Sequence, residues 1–166
     1  LQLAQNPKRR ITIITREADP NESNTGYAQG GIISRGLDDN AALLVEDILA
    51  AGAGASLPSA AQILSDEGPE LLQKILIEIA KINFDRDSEG RMEWGQEAAH
   101  SRRRILHVGD GTGAAISRGI IAAVKQKPNI EWFTNATAVD LITYPHHSRN
   151  PLDTYKEIAC HGAYVF

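Results

Sequence analysis

A glycine pair, Gly30-Gly31, closes the polar segment Asn24-Thr25-Gly26-Tyr27-Ala28-Gln29, which follows a β-branched run, Ile11-Thr12-Ile13-Ile14-Thr15. The run has the length and composition of a sheet strand, and the order of strand, polar turn and glycine pair restricts the fold sharply. Glycine carries no Cβ to hold a ligand away and tolerates positive φ, so backbone N–H groups can approach a bulky anionic or planar group there. Asn, Thr and Gln add side-chain hydrogen bonds that fix orientation. The same residues also suit a tight surface turn, so a second signal is needed.

That signal is the segment Gly109-Asp110-Gly111-Thr112-Gly113, which follows Ile105-Leu106-His107-Val108 and precedes a helical pattern. Gly109-x-Gly111-x-x-Ala114 between a strand and a helix, with Glu131 about 20 residues on, has the outline of a dinucleotide fingerprint. Glu131 falls near the start of its own strand, however, whereas such an acid belongs at a strand's end. The other reading is a glycine-permitted turn that feeds a helix, with Asp110 or Thr112 capping the first N–H groups.

Composition removes several classes. A chain of 166 residues with 42% hydrophobic and 23% charged residues is ordinary for one folded domain. A formal charge of −4 leaves no broad basic surface, so nucleic acid is not an expected partner. The lone cysteine, Cys160, permits no internal disulfide; it reads as a packed strand residue, and a reducing cytosolic compartment fits. No apolar run approaches the roughly 20 residues that span a bilayer, so no membrane association is expected. The chain starts on Leu1 without Met and stops at Phe166 within a strand-like pattern, which reads as a fragment.

Between the two glycine segments the pattern is helical. Asn40 is placed to cap a helix from Ala41, with Leu44, Val45, Ile48 and Leu49 on one face and Gly52 and Gly54 as the stop. A short helix is expected over 59–65, and Pro69 reads as the first-turn residue of another, whose apolar face carries Leu71, Leu72, Ile75, Leu76 and Ile79. A polar turn over 85–90 is expected to join two short strands, and 92–104 reads as irregular. A helix follows from Ala114 to about Gln126. The remainder alternates like three antiparallel strands, over 130–133, 136–143 and 155–166.

Five landmarks in order, Tyr27-Ala28-Gln29-Gly30-Gly31, Val45 to Gly54, Phe84-Asp85, His100-Ser101 to His107, and Ala138-Val139-Asp140-Leu141-Ile142, resemble the L-aspartate oxidases of the fumarate reductase and succinate dehydrogenase flavoprotein superfamily. The resemblance runs nearly end to end. It implies an α/β fold: a partial, Rossmann-like FAD-binding domain with a helical middle segment and a C-terminal antiparallel β-meander. Residues 1–166 would form a single incomplete domain, with the strand and FAD loop in 1–36, a mainly helical segment with a substrate-side loop at 92–104 in 37–128, and the meander in 129–166.

The same resemblance assigns residues. Asn24, Thr25, Gly26, Tyr27, Ala28, Gln29, Gly30 and Gly31 match the loop along the FAD pyrophosphate and flavin, although Asn24 stands where serine is common. Arg16 falls where the family carries a lysine near the adenosine end, and Ala138 where backbone meets the adenine. Asp110, Thr112 and Gly113 match a family Asp-Ala-Thr-Gly, which Gly111 interrupts. Glu97 is the substrate-orienting candidate, because a carboxylate near the flavin can pair with the ammonium that distinguishes L-aspartate from succinate. Family members usually have Gly-Gly where this chain has Ala98-Ala99.

The implied activity is flavin-dependent oxidation of L-aspartate to iminoaspartate in NAD biosynthesis, with oxygen or fumarate taking the electrons and quinolinate synthase as the pathway neighbour. No catalytic residue is assigned within this chain and no metal is expected; His100 reads as structural or as a residue supporting the site from behind, and the spacing of the histidines fits no metal motif. The alternatives are a fumarate reductase or succinate dehydrogenase type of flavoprotein, and a cofactor-free binding or structural module.

Overall fold

The structure is a computed structural model that describes every residue, Leu1–Phe166. Its contacts divide it into two compact units: Leu1–Glu22 with Lys127–Phe166, and Ser23–Gln126.

The first unit is built on two strands, β1 (Ile11–Ile14) and β4 (Ile130–Phe133), which pair in parallel with Ile11 opposite Ile130 and Ile14 opposite Phe133. Parallel neighbours cannot be joined by a tight turn, and here the whole of 15–129 separates them. This corrects the expected meander. Residues 130–133 are not its first strand; they return to β1, and only β5 (Ala138–Tyr144) and β6 (Ala159–Val165) form an antiparallel pair. Alternation along a sequence reports a two-sided strand but not the partner it selects. Within 155–166, strand structure begins only at Ala159, because Pro151–Tyr155 forms a 3-10 turn. Cys160 is exposed on β6, contrary to the packed position expected of it. Strand β1 is half-buried, with Thr12 exposed and its hydroxyl donating to Glu131 Oε1 at 2.7 Å. Glu131 is therefore engaged by its neighbouring strand. The Asn129 amide gathers the N-terminal turn, donating to the carbonyls of Ala4, Asn6 and Arg9 at 3.0 to 3.2 Å.

The second unit carries the helices. Helix α1 (Ala41–Ala51) begins where expected, with Asn40 Oδ1 accepting from the Leu43 N–H at 3.0 Å, and ends at Gly52, followed by Gly54 at φ 91°. Helix α2 (Pro58–Leu71) differs from expectation: Pro58 is its first-turn proline, and Pro69 lies inside it. A proline within a helix leaves the carbonyl four residues earlier without its donor. Here that carbonyl belongs to Ser65, and Arg35 Nη2 donates to it at 2.6 Å.

The helix then widens into a π segment, Leu72–Ile79, closed by the Ala80 N–H donating to the Ile75 carbonyl at 2.8 Å. With five-residue bonding, Leu72, Leu76 and Ala80 align on the buried face, whereas Leu71 and Ile79 turn away from it. These three residues, with Ile82, Phe84 and Leu106, make the core. Strand β2 (Ile32–Ile33) pairs antiparallel with β3 (Ile105–Leu106) against that core. The 85–90 turn joins not two strands but a single bridge, Arg86 to Met92. Helix α3 (Thr112–Lys125) follows β3.

Candidate functional site: the glycine loop and the turn that carries Glu97

The polar segment folds as a 3-10 turn, Asn24–Tyr27, and it rests against helix α3. The Gly113 N–H donates to the Ala28 carbonyl at 3.0 Å, and an added Cβ on Gly113 would stand 2.8 Å from both the Cβ and the carbonyl oxygen of Ala28. Gly113 is small because the turn lies on it. The two glycine segments that stand apart in the chain are therefore one structure. Expected capping by Asp110 or Thr112 does not occur: no side chain caps α3, and Thr112 Oγ1 instead accepts from the Val108 N–H at 3.0 Å, holding the loop before the helix.

Gly30 and Gly31 have different surroundings. At Gly31 a Cβ would collide with the Ile105 side chain, the Leu106 carbonyl oxygen at 2.6 Å and the His107 ring at 2.7 Å. At Gly30 the nearest atom to such a Cβ is Glu97 Oε1, at 3.7 Å. Neither glycine has a positive φ, so Gly31 answers to close packing on β3 and not to backbone conformation. Asn24, Thr25, Ala28, Gln29 and Gly30 are exposed, as is the Tyr27 ring. The N–H groups of Gln29 and Gly30 and the side chains of Asn24, Thr25 and Gln29 make no hydrogen bond within the protein. Two adjacent backbone donors, three polar side chains and an exposed aromatic face suit a ligand with an anionic stretch and a planar ring. FAD has both.

Glu97 joins this surface. The Gly31 N–H donates to Glu97 Oε1 at 3.3 Å, which sets the carboxylate against the glycine pair. Glu97 belongs to a short exposed turn in which the His100 N–H donates to the Glu97 carbonyl at 2.9 Å and Gln96 Nε2 to the His100 carbonyl at 2.7 Å. The histidines are structural neighbours here. The His107 ring lies over Gly31 and Gly95, and His100 Nδ1 is 3.5 Å from Arg104 Nη1.

Sequence reasoning missed the anchor of that turn. Of the three consecutive arginines 102–104, Arg104 has a completely buried side chain. Its Nε donates to Asp39 Oδ2 at 2.9 Å and Nη2 to Asp39 Oδ1 at 2.7 Å, a bidentate pair, while Nη1 reaches Asp47 Oδ2 at 2.6 Å. Asp47 Oδ2 also accepts from the Ser101 N–H at 2.8 Å and the Ser101 hydroxyl at 3.0 Å. Burial pushes the Asp47 carboxyl up, but the Ser101 donors and the Arg104 guanidinium together outweigh it and hold the acid below its usual range. The available signals were Asp47 between the apolar Val45 and Ile48 of a helix, and Arg104 directly before Ile105-Leu106.

In the other unit, Arg16 and Ala138 are both exposed, and the Arg16 guanidinium is 3.3 Å from Glu17 Oε1. The Ala136 N–H donates to the Thr15 carbonyl at 3.1 Å. Their neighbours Ala138 and Arg16 therefore sit at the carboxyl end of the parallel β1–β4 pair, the end at which open parallel sheets receive ligands. A separate polar knot closes the β5–β6 connection. Hydrogen bonds from Ser148, Tyr144 and Lys156 lower the Asp153 carboxyl to about 2, and the Tyr144 hydroxyl and Asp153 raise the Lys156 ammonium.

A cavity of about 750 Å³ opens beside Leu37, Met92, Trp94, Arg91, Arg102 and Arg103. Neither Glu97 nor any residue of 24–31 lines it, so it is distinct from the glycine loop.

Comparison with known proteins finds relatives along most of the chain. L-Aspartate oxidase of Agrobacterium fabrum (strain C58 / ATCC 33970) is 45% identical over 122 residues, which are 72% of this chain and 23% of that protein. The chloroplastic L-aspartate oxidase of Arabidopsis thaliana is 34% identical over 153 residues, 92% of this chain and 22% of that protein. The chain thus spans less than a quarter of the length of these relatives. An E. coli quinol fumarate reductase superposes with a TM-score of 0.78 at 20% identity, covering 86% of this chain and 24% of that one, and this shows the fold. An open conformation of a flavocytochrome c3 fumarate reductase covers 98% of this chain and 33% of its own, with a TM-score of 0.62 at 17% identity. No helix is long and apolar enough to cross a membrane. The family described as FAD binding domain matches residues 1–166, and with its exposed donor-lined loop seated on a glycine-started helix, the chain belongs to that FAD-binding family.

Proposed function

We propose that this chain is part of the FAD-binding domain of an enzyme that oxidises L-aspartate to iminoaspartate. The observation that carries the reading is the hydrogen bond from the Gly31 N–H to Glu97 Oε1, 3.3 Å, which brings a carboxylate to the edge of the glycine loop. FAD, when bound, supplies the two-electron acceptor. The residues of this chain bind and orient. The N–H groups of Gln29 and Gly30 and the side chains of Asn24 and Thr25 would hold the pyrophosphate and flavin, with Gly26, Tyr27, Ala28 and Gly31 shaping the loop. Arg16 and Ala138 attend the adenosine end, and Glu97 pairs with the substrate ammonium, a contact that succinate cannot make. Both units belong to one incomplete FAD domain on this reading.

Oxygen or fumarate takes the electrons, the iminoaspartate passes to quinolinate synthase for NAD biosynthesis, and the enzyme works in the cytoplasm. Support comes from the similarity to L-aspartate oxidases over 72% to 92% of the chain and from the donor set of the loop.

The test is an assay of the full-length gene product with L-aspartate and with succinate, for wild type and Glu97→Gln. Glutamine keeps an oxygen for the Gly31 N–H and removes the charge. Loss of a charge-assisted pair lowers kcat/KM for L-aspartate by about tenfold to a hundredfold and leaves fumarate reduction near wild type. Oxidation of succinate but not L-aspartate would assign the protein to the succinate dehydrogenase type instead, and a product that holds no flavin would leave the cofactor-free module.

A further inference from the structure

We propose that Asp47 is a positioning residue, which acts through Ser101 to hold the 97–101 turn so that Glu97 stands at the Gly31 N–H. This rests on the reading of Glu97 given above, and the geometry supplies a continuous path. Asp47 is on helix α1, a fixed element with a capped start. Its Oδ2 accepts both donors of Ser101, the N–H at 2.8 Å and the hydroxyl at 3.0 Å. From Ser101 the chain runs back through His100, whose N–H closes onto the Glu97 carbonyl at 2.9 Å, to the carboxylate that meets Gly31 at 3.3 Å.

Residues 96–99 are exposed and bury nothing, so apolar packing does not fix this turn. Its position depends on its polar links, and the link to α1 is the one anchored in a helix. Arg104 makes that link rigid. With its guanidinium gripped bidentately by Asp39 and fully buried, it holds the same Asp47 oxygen at 2.6 Å and stops the carboxylate from rotating away from Ser101. Ala98-Ala99 bears no part in the hold, since neither side chain has a polar atom. Asp47 touches neither substrate nor cofactor on this account; it sets where Glu97 is.

The experiment uses the full-length gene product with FAD bound and compares Asp47→Asn, Ser101→Ala and Glu97→Gln. Asp47→Asn leaves Arg104 paired with Asp39. Ser101→Ala spares the buried guanidinium altogether, so it carries the test should the first variant fold poorly. Amide hydrogen exchange across 97–101 is expected to quicken about tenfold or more in both Asp47→Asn and Ser101→Ala, the scale of a charge-assisted hydrogen bond weakened or lost. KM for L-aspartate rises by similar factors with kcat within about twofold, as expected when ground-state and transition-state binding fall together. In a Glu97→Gln background, Asp47→Asn raises KM no further, because its effect passes through that carboxylate.

Unchanged exchange over 97–101, or a KM effect that adds in full to that of Glu97→Gln, overturns the proposal. If Glu97→Gln leaves the KM for L-aspartate unchanged while Asp47→Asn still quickens exchange, the substrate role of Glu97 falls and the hold of Asp47 on the turn stands.

Discussion

An added methyl group at Gly31 would stand 2.6 Å from the Leu106 carbonyl oxygen and 2.7 Å from the His107 ring, and backbone cannot yield as a flexible side chain does. Gly31→Ala in the full-length product is therefore expected to cost about 1–3 kcal/mol, the range for overpacking a close contact. The urea midpoint with FAD removed reports it, and an unchanged midpoint would show that β3 gives way freely. The sequence marked the glycine pair but could not divide its duties, because the atoms that press on Gly31 belong to a strand far along the chain. Arg104 was illegible for the same reason. Three consecutive arginines look like surface, and only the carboxylates of Asp39 and Asp47, contributed from either side of the α1 N-terminus, make one of them a buried residue. A buried pair of this kind costs about 3–5 kcal/mol to break from one side, so the geometry around Ser101 is firmly held.

Pro69 shows how a correct local rule can be attached to the wrong element. Proline does open helices, and Pro58 obeys that rule, but Pro69 is accommodated inside α2 because Arg35 supplies a donor to the Ser65 carbonyl from a distant segment. A double-mutant cycle tests this. Arg35→Met alone leaves that carbonyl without its partner and costs about 1–3 kcal/mol, whereas in a Pro69→Ala background the restored N–H takes over the carbonyl and the cost shrinks. Equal costs in both backgrounds would separate Arg35 from the proline. Elements defined by local chemistry were legible: the Asn40 cap, the Gly52 stop, the strand expected over 105–108, which holds at 105–106, and the helix that follows it, which starts two residues before Ala114. Those decided by a remote partner were not, as with 130–133, whose alternation is real but whose neighbour is β1.

At the scale of the whole molecule, the landmarks that carried the family resemblance include two that meet in space, Gly31 of the first being packed on Ile105, Leu106 and His107 of the fourth. The Asn24–Ala28 turn lies on Gly113, and Gly31 links it to Glu97. That convergence turns a list of motifs into a site. Membership of the FAD-binding family follows from a match across 1–166, whereas the place of the flavin along the loop is the central proposal, and Gly30 tests it most directly. Its φ lies outside the left-handed region, and a Cβ there meets nothing in the protein nearer than Glu97 Oε1 at 3.7 Å. The fold should then accept a side chain at this position with stability changed by less than about 0.5 kcal/mol. The deciding measurement is the Kd for FAD of full-length Gly30→Val against wild type, alongside their urea midpoints. With the flavin against this loop, the valine weakens FAD by about a hundredfold, since two or three kcal/mol of close contact is lost, while the midpoint without FAD stays unchanged. Wild-type FAD affinity in a normally folded Gly30→Val protein would contradict the account.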